Sequence, residues 1–223
     1  MKTDLPWTAL PHRWRLIAVA LSLTALTLAA GCEVLKPAVS SHPNVYTLSS
    51  ANVTANSAPL AQRAALTAPT LIVSPPHAAA GFDSKRIIYL RQADQLEYFA
   101  HSEWIDTPAR MLAPLIVAAV ERSGAFRAVV QTPSTAAGEM RLDIEILRLQ
   151  HEFLTVPSQV RFTLRAYVVE SKTRRVIASR AFDTAVPAAS ENPHGGVMAA
   201  NRAVQTVLDS LSAFCAEAVL RAP

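Results

Sequence analysis

The chain has 223 residues, of which 51% are hydrophobic, 17% are charged and only 2 are cysteines. This composition indicates one globular domain with attached segments and excludes a small fold held together by disulfides. The formal net charge of +4 is small and most of the arginines are scattered singly. We therefore do not expect nucleic-acid binding, which favours a continuous basic surface with interleaved aromatic residues.

The first 30 residues have the pattern of a signal peptide. The basic residues Lys2, Arg13 and Arg15 precede an uncharged, largely apolar stretch from Leu16 to Ala30. As a helix this stretch would rise about 22 Å, which is short of the roughly 30 Å hydrocarbon core of a bilayer. The pattern therefore favours a cleaved leader over a permanent transmembrane span.

The leader ends in Leu28-Ala29-Ala30-Gly31-Cys32, which resembles the lipobox of bacterial lipoproteins. Small residues at Ala30 and Gly31 would let an extended chain enter a peptidase cleft. The Cys32 thiol is the only nucleophile there that can take a thioether-linked lipid. The resemblance predicts a lipoprotein signal peptide over residues 1–31 and lipid attachment at Cys32. The alternative is an ordinary signal peptide followed by a chance cysteine.

The residue after the predicted acylation site bears on the choice of membrane. In lipoproteins an Asp at that position favours retention in the inner membrane, whereas this chain has Glu33. The resemblance therefore implies the periplasmic face of the outer membrane. Three acyl chains are sufficient for stable anchoring, because two membrane signals already suffice.

Residues 32–69 are predicted to form an acylated N-terminus and a flexible tether rich in Ala, Ser and Pro. Between Pro37 and Pro69 the only charged residue is Arg63, and a composition of this kind buries little apolar surface. Tyr46 and Leu48 are an exception, because two large apolar side chains two residues apart can form a short strand docked on the domain. Two stray apolar residues in a coil are the other interpretation.

A single folded domain is predicted over residues 70–223. It begins with two short apolar runs. The first, Leu71–Val73, is closed by Pro75 and Pro76, and the second, Arg86–Leu90, lies between Gly81 and the polar residues that start at Gln92. The second run is expected to return as a hairpin that turns at Ala93 and Asp94, with Leu96 and Tyr98 in the second arm and Phe99 as a further candidate. Both runs are predicted to be strands.

The first helix is predicted to begin at Thr107 and Pro108, the N-cap and first-turn pattern, with Asp106 as an alternative cap. Apolar residues at helical spacing continue to a stop at Ser123–Gly124. Pro114 lies inside this pattern and would remove one backbone hydrogen bond. It therefore predicts a kink, or a start later than Thr107.

The clearest period-two patterns lie in the second half of the domain. After a plausible strand at Ala128–Val130, the stretches Met140–Leu147 and Val160–Val168 each alternate apolar and polar residues, and Val176–Asp183 continues as a third strand. Such one-sided strands predict an antiparallel sheet with its core on one face. Across this ladder, Asp143 and Glu145 are expected to face Arg161 and Arg165.

A second amphipathic helix is predicted from about Gly196, with an apolar stripe that continues to Ala218. Together these elements predict an α+β fold, in which a mostly antiparallel or mixed sheet has two amphipathic helices packed on one face.

Residues that could carry chemistry are few. None of the six histidines has metal-ligand spacing to another histidine or to a cysteine, so we expect no metal site and no cofactor. His101 and His151 are interpreted as surface or strand-end residues. Cys215 lies on the apolar stripe of the last helix, where a free cysteine packs as a small hydrophobic residue rather than acting as a nucleophile.

Two further motifs have both a structural and a functional interpretation. His194–Gly196 resembles an anion-binding loop at a helix N-terminus, but without a lysine and a suitable preceding strand it is better interpreted as a flexible start to the helix. Trp104 is expected to pack under the loop before the first helix rather than to contact a partner.

Several segments, in their order and spacing, resemble the ABC-type transport auxiliary lipoprotein family over nearly the whole mature chain. The order and spacing of the segments together make the resemblance specific. The matching segments are Tyr46–Leu48, Gly81–Ser84, Arg86–Tyr89, Trp104–Leu112 and Ser123–Val130.

The resemblance implies an accessory subunit of an envelope-spanning transporter. In such systems an inner-membrane permease, a cytoplasmic ATPase and a periplasmic MCE-domain protein move phospholipid, sterol or similar hydrophobic cargo. The lipoprotein would dock on the MCE-domain protein while Cys32 anchors it to the outer membrane, and a homo-oligomer is compatible with this role. Only Cys32 is carried over as a functional residue.

Two other classes of function stay open. One is a lipoprotein that binds a lipid or a small hydrophobic ligand in its own cavity. The other is a hydrolase of the cell wall or of a lipid surface, which would need a convergent polar site. The sequence has no G-x-S-x-G turn and no phosphate-binding loop, so we do not expect an enzyme.

Overall fold

The computed structural model describes residues 42–50 and 67–221. The predicted signal peptide, the lipobox with Cys32 and much of the predicted tether lie outside the described residues. Within those ranges the chain forms one mixed sheet of nine strands and two helices. The predicted α+β fold is confirmed.

In the described part of the chain, the six shorter strands come before the three long strands. The strands are β1 (Asn44–Tyr46), β2 (Thr70–Val73), β3 (His77–Ala78), β4 (Arg86–Leu90), β5 (Glu97–Trp104), β6 (Ala128–Gln131), β7 (Met140–Glu152), β8 (Gln159–Glu170) and β9 (Val176–Pro187). The helices are α1 (Pro108–Arg122) and α2 (Pro193–Leu220).

Strand β7 organises the sheet. Along one edge it pairs antiparallel with β8, and β8 pairs antiparallel with β9, so the predicted meander is confirmed. Along the other edge β2, β3 and β4 follow one another, each parallel to β7. The sheet is extended beyond β2 by β6, and beyond β4 by β5 and then β1. These parallel pairs make the sheet mixed.

The period-two pattern places the core on one face of the long strands. Leu142, Ile144 and Ile146 of β7 are buried, and their cross-strand partners on β8 include the buried Leu164 and Ala166. Helix α2 packs against β8, β9 and α1. Since every second side chain is removed from water on the same side, burial of this face stabilises the fold.

A β-bulge in β7 changes which residues face the core. The pairing with β8 shifts between Ile146 and Arg148. A bulge adds one residue to one strand, so the alternation moves by one position. Before it the even-numbered residues are buried. After it all four residues from Leu149 to Glu152 are buried, and Leu149 is the one that joins the hydrophobic core. His151 is therefore a strand-end residue, as predicted, but it is not on the surface.

Helix α1 begins at Pro108 and has Thr107 at its N-cap position. The Thr107 side chain makes no capping hydrogen bond; instead the Thr107 backbone N–H donates to Asp106 Oδ1 at 2.8 Å. The helix continues past Pro114 without interruption, so the later start is wrong. Pro114 is exposed, which lets water solvate the carbonyl group that loses its partner. Gly124, with φ of 64°, ends the helix as predicted.

Helix α2 begins at Pro193, earlier than the predicted Gly196, because Asn192 caps it. The Asn192 side chain accepts a hydrogen bond from the Gly195 backbone N–H at 2.9 Å, and Pro193 occupies the first turn. By length and composition alone α2 could cross a bilayer. However, Val204 and Leu208 are buried in the core cluster, so in this fold α2 is a core helix.

The segment before the predicted domain is docked on it. β1 pairs parallel with β5, which places Tyr46 opposite Trp104, and Leu48 is buried. The Ser49 backbone N–H donates to the Asn201 side chain of α2 at 3.0 Å. Of the two interpretations of Tyr46 and Leu48, the docked strand is therefore confirmed.

Candidate functional site

The predicted lipid attachment residue, Cys32, lies outside the described residues. Its role therefore stays a prediction based on the lipobox-like segment. The remaining candidates for chemistry lie on the polar face of the sheet, under the start of α2 and in two surface grooves.

The polar face of the long strands carries internally paired charges. Arg165 lies 3.9 Å from Glu145 across the β7–β8 ladder, as predicted. Asp143 does not meet Arg161, because the register places Tyr167 opposite it. Instead Arg141, on the same strand, donates to both oxygens of Asp143, with distances from 2.8 to 3.1 Å.

Arg161 has two acidic partners of its own. Its Nη1 donates to Asp183 Oδ2 at 2.7 Å, and its Nε donates to Glu152 Oε1 at 3.2 Å. Glu152 is buried and also accepts from the Gln150 side chain at 2.8 Å. Because each of these carboxylates has a cationic or amide donor, this network is suited to holding the strands in register rather than to proton transfer.

Beneath the start of α2 lies a buried polar cluster formed by His151, Ser158 and Glu191. His151 is 2% exposed, and its Nε2 lies 2.8 Å from Ser158 Oγ. The Ser158 backbone N–H donates to Glu191 Oε1 at 2.9 Å. The His151 Nδ1 atom has no hydrogen-bond partner among the described residues.

Two glycines of the His194–Gly196 motif allow α2 to approach this cluster. A Cβ atom on Gly196 would lie 2.5 Å from His151 Nδ1, and one on Gly195 would lie 2.2 Å from the Ser190 backbone oxygen. Both distances are well below van der Waals contact. The motif therefore permits close packing of the helix start, and this packing, not flexibility, explains the glycines.

The cluster does not have the geometry of a hydrolase triad. In a triad the histidine lies between the nucleophile and the acid, whereas here Ser158 lies between His151 and Glu191. Ser158 is completely buried, so a substrate cannot reach its hydroxyl group. Burial lowers the pKa of His151, an effect that the nearby Glu191 carboxylate partly offsets. The arrangement stabilises a neutral imidazole as a packing group.

The other single residues with a functional interpretation have structural roles. Cys215 is buried in the core, and burial raises the pKa of its thiol to about 12. A thiol of this kind is not a nucleophile at neutral pH. Trp104 is buried against the core, as predicted. His101 is exposed on β5. In residues 42–50 and 67–221 no three His, Cys, Asp or Glu side chains are grouped so as to hold a metal ion.

The open grooves among the described residues include two that are large enough for a small ligand. The first, of about 840 Å³, lies at the end of the sheet where β7 begins and α2 ends. Arg127, Glu139, Glu170 and Lys172 contribute its charged groups, and Ile177 and Val219 contribute apolar surface. The second, of about 590 Å³, includes Asp143 and Tyr167 of the polar face.

Glu139 is the best-defined group of the first groove. Its Oε2 accepts from the Thr70 backbone N–H at 2.7 Å, and its Oε1 lies 3.4 Å from Arg127 Nη2. The hydrogen bond from Thr70, followed by the Arg127 charge, holds the pKa of Glu139 below its usual value. The carboxylate is therefore ionised and already partnered, and it ties β2 to the start of β7.

The fold has known relatives. It is similar to the crystal structure of protein XCC0632 from Xanthomonas campestris, with a TM-score of 0.67 and 25% sequence identity over 80% of this chain and 98% of that chain. It is also similar to a crystal structure of an uncharacterized protein, with a TM-score of 0.60 and 10% identity over 78% of this chain and 99% of that chain. This second likeness shows the fold alone. The comparison with curated proteins gives no match.

The sequence also matches a family model. The model described as ABC-type transport auxiliary lipoprotein component matches residues 46–212. The match begins inside the docked strand β1 and ends inside α2, so it includes the docked segment and nearly all of the sheet and helices. The chain belongs to the family of ABC-type transport auxiliary lipoprotein components.

Proposed function

We propose that this protein is an outer-membrane-anchored docking subunit of an MCE-associated intermembrane lipid transport system. The observation that carries the proposal is the family match over residues 46–212. The lipobox-like segment that ends at Cys32 supports the anchor, and Glu33 supports the outer membrane. The cargo would be phospholipid, sterol or a similar hydrophobic molecule.

The partners in this proposal are a periplasmic MCE-domain protein and, through it, an inner-membrane permease and an ATPase. A docking role agrees with the chemistry of the described residues. The carboxylates of the polar face are partnered, the His151 cluster is buried and Cys215 is buried. Such a domain offers shape and charge to a partner rather than a reactive group.

The position of β1 sets how far the domain can move from its anchor. Because β1 is docked, only the chain before Asn44 separates the domain from Cys32. That chain spans at most about 42 Å when fully extended. The segment between β1 and β2 connects two docked strands and adds nothing to this reach. The proposed adaptor therefore works close to the membrane.

The two cysteines provide a matched test of the anchor. We expect that Cys32→Ser, exported to the periplasm, leaves the domain folded but abolishes transport in a strain that lacks the native protein. Cys215→Ala removes the other thiol and keeps the anchor, so it should retain transport. Incorporation of radiolabelled palmitate should require Cys32, and the labelled protein should fractionate with the outer membrane. Full complementation by Cys32→Ser would contradict the proposal.

The docking partner is tested by purification. Acylated protein solubilised in mild detergent should copurify with the periplasmic MCE-domain protein after cross-linking in cells. If it is recovered only with unrelated proteins, the MCE assignment is wrong even when the anchor is confirmed.

A second candidate function is direct binding of a hydrophobic ligand. The groove of about 840 Å³ favours it, since ligand sites commonly enclose about 300 to 1,000 Å³. Native mass spectrometry of the protein without its acyl chains separates the two candidates. A copurifying lipid that is lost when Val219 and Ile177 are changed to Asp supports ligand binding, whereas a bare protein supports docking.

A further inference from the structure

The hairpin that joins β7 and β8 exposes apolar side chains at its tip. Val156 is 96% exposed and Leu154 is 50% exposed. The base of the hairpin is held in place: the Phe153 backbone N–H donates to the Leu90 backbone oxygen at 2.8 Å, and the Phe153 ring packs on His151 with centroids 4.1 Å apart. These side chains are held in a fixed place and are free to contact a surface outside the domain.

The strand directions place this tip at the same end of the sheet from which the N-terminal chain leaves. β7 runs towards the tip, and β4 is parallel to β7. β5 is antiparallel to β4, so it runs away from the tip. β1 is parallel to β5, so its first residue, Asn44, points towards the tip. The chain that leads back to Cys32 therefore leaves the domain in the direction of the tip.

The length of that chain is sufficient for the anchor and the tip to meet one surface. From Cys32 to Asn44 the chain spans at most about 42 Å. The 13 residues of β7 extend over about 43 Å, and Asn44 lies part of the way along the sheet. A lipid on Cys32 can thus lie level with Val156 while β1 stays paired with β5.

Further apolar surface lies at this end. Leu96 is exposed in the β4–β5 connection, and Tyr98 is exposed at the start of β5 with the Arg86 guanidinium 4.5 Å from its ring centre. The opposite end holds the β8–β9 turn, the first groove and the last residues of α2, and it also exposes Val176 and Leu220. The direction in which the chain leaves towards Cys32, and not apolar exposure alone, therefore distinguishes the tip. An apolar projection beside a lipid anchor has the chemistry of a bilayer contact, because small apolar side chains enter the boundary between headgroups and acyl chains.

We propose that the β7–β8 tip, through Leu154 and Val156, inserts into the bilayer that holds the Cys32 acyl chains. The inference rests on the proposed anchor at Cys32. With two contacts at one end, the long strands stand away from the membrane instead of lying on it. The opposite end, with the groove of about 840 Å³, then faces the periplasm, where a partner can reach it.

The test uses the acylated full chain in vesicles of phosphatidylethanolamine and phosphatidylglycerol. Val156→Cys is labelled with the environment-sensitive fluorophore NBD. Native Cys215 is buried with a thiol pKa of about 12, so it should not label. The matched control is Val176→Cys, because Val176 is also an exposed valine, at 51%, but begins β9 at the opposite end.

On vesicle binding, the NBD emission of the Val156→Cys probe should shift to the blue, and nitroxide-labelled lipids should quench it. The emission of the Val176→Cys probe should show neither change. A probe at 156 that behaves like the probe at 176 overturns the inference, whether or not the chain floats with the vesicles. Flotation of the acylated chain with the vesicles measures the anchor separately. A floating chain with an unshifted 156 probe therefore refutes the tip contact alone, whereas a chain that does not float refutes the anchor.

A second pair of variants measures the effect of the tip without a probe. In the unacylated Cys32→Ser chain, Leu154→Ser with Val156→Ser should lower the partition into the same vesicles by about tenfold, because two apolar side chains no longer leave water. Val176→Ser with Leu220→Ser removes similar apolar surface from the opposite end and should leave the partition unchanged. Equal partition of both double variants would overturn the inference.

Discussion

The two halves of the sheet are built differently. On one edge of β7 the long strands β8 and β9 follow in chain order and pair over their full length, and α2 covers them. On the other edge β2, β3 and β4 pair with β7 over only two or three residues each. The first half is thus a continuous unit with most of the buried core, whereas the second is a set of short, non-local contacts. Stability is expected to be concentrated in the first.

The largest effect is expected in the half of the sheet that contains the long strands β7, β8 and β9. Phe162 of β8 is fully buried in the core. Phe162→Ala should lower the free energy of unfolding by about 3 to 5 kcal/mol, because it removes apolar contacts and leaves a cavity. Urea denaturation followed by circular dichroism measures the change. Val176→Ala, on an exposed position of β9, serves as the control and should shift the free energy by less than about 0.5 kcal/mol.

The next largest effect is expected in the half of the sheet that contains the short strands. Leu48 follows β1 and is buried in the core cluster although it lies before the predicted domain. Leu48→Ala should lower the free energy of unfolding by about 2 kcal/mol. This loss is smaller than for Phe162→Ala, because a smaller side chain is truncated. It should also increase proteolysis within residues 42–50 before global unfolding. A loss as large as that of Phe162→Ala would contradict the division into a strong and a weak half.

The third effect lies where the two halves meet, under the start of α2. An exposed Gly→Ala change inside a helix normally stabilises by about 1 kcal/mol. Gly196→Ala should instead destabilise by about 1 to 3 kcal/mol, because the new Cβ would lie 2.5 Å from His151 Nδ1.

A double-mutant cycle sharpens this result. His151→Ala removes the ring, so the Gly196→Ala penalty should shrink in the His151→Ala background. Met198→Ala on the exposed face of the same helix is the control and should have little effect. A stabilised Gly196→Ala variant would show that the ring and the helix are not in contact.

The smallest effect is a dependence on pH. The pKa of His151 is lowered by burial, so in the folded state the imidazole stays neutral below the unfolded value of about 6.5. Between those two values the unfolded chain binds more protons than the folded chain. Stability should therefore fall as the pH drops from about 6.5 towards the lowered pKa, and should change little above 6.5 on account of this group.

The measurement is the urea midpoint at several pH values between 5 and 8. His151→Phe keeps a ring at this position without a titrating group, so it should flatten the dependence in this window. Glu191, the acid that faces the cluster, titrates lower, because its hydrogen bonds with Ser158 lower its pKa. An unchanged slope in His151→Phe would assign the dependence to other groups.

The same division explains what the sequence could predict. The strands β7, β8 and β9 follow from period-two patterns, and their pairing follows from chain order, because hairpins join neighbours. The parallel contacts of β2, β3 and β4 with β7 connect residues far apart in the chain. No local pattern encodes them, and β3 has only two residues. The sequence leaves two interpretations of β1 open for the same reason, because its partner β5 lies far along the chain.

The candidate functional residues differ in the same way in what the sequence can predict. Cys32 is predicted from a contiguous motif, whereas the contact of His151 with Ser158 and Gly196 depends on a bulge and on the position of α2. A bulge moves the alternation by one residue without a clear mark in the sequence, so the sequence pattern alone does not predict that His151 is buried. The paired glycines at the helix start were the available signal, since two glycines in a helix start indicate close backbone packing.

The parallel pairing of β1 with β5 has a mechanical consequence. Tension from an anchor upstream of Asn44, exerted in the direction of the hairpin tip, acts along the axis of β1. The hydrogen bonds of that ladder are then loaded together in shear, instead of being unzipped one after another. The hydrogen bond from Ser49 to Asn201 holds the chain behind them. A thermal or hydrodynamic pull on the domain is in this way shared among several weak bonds before any one of them breaks.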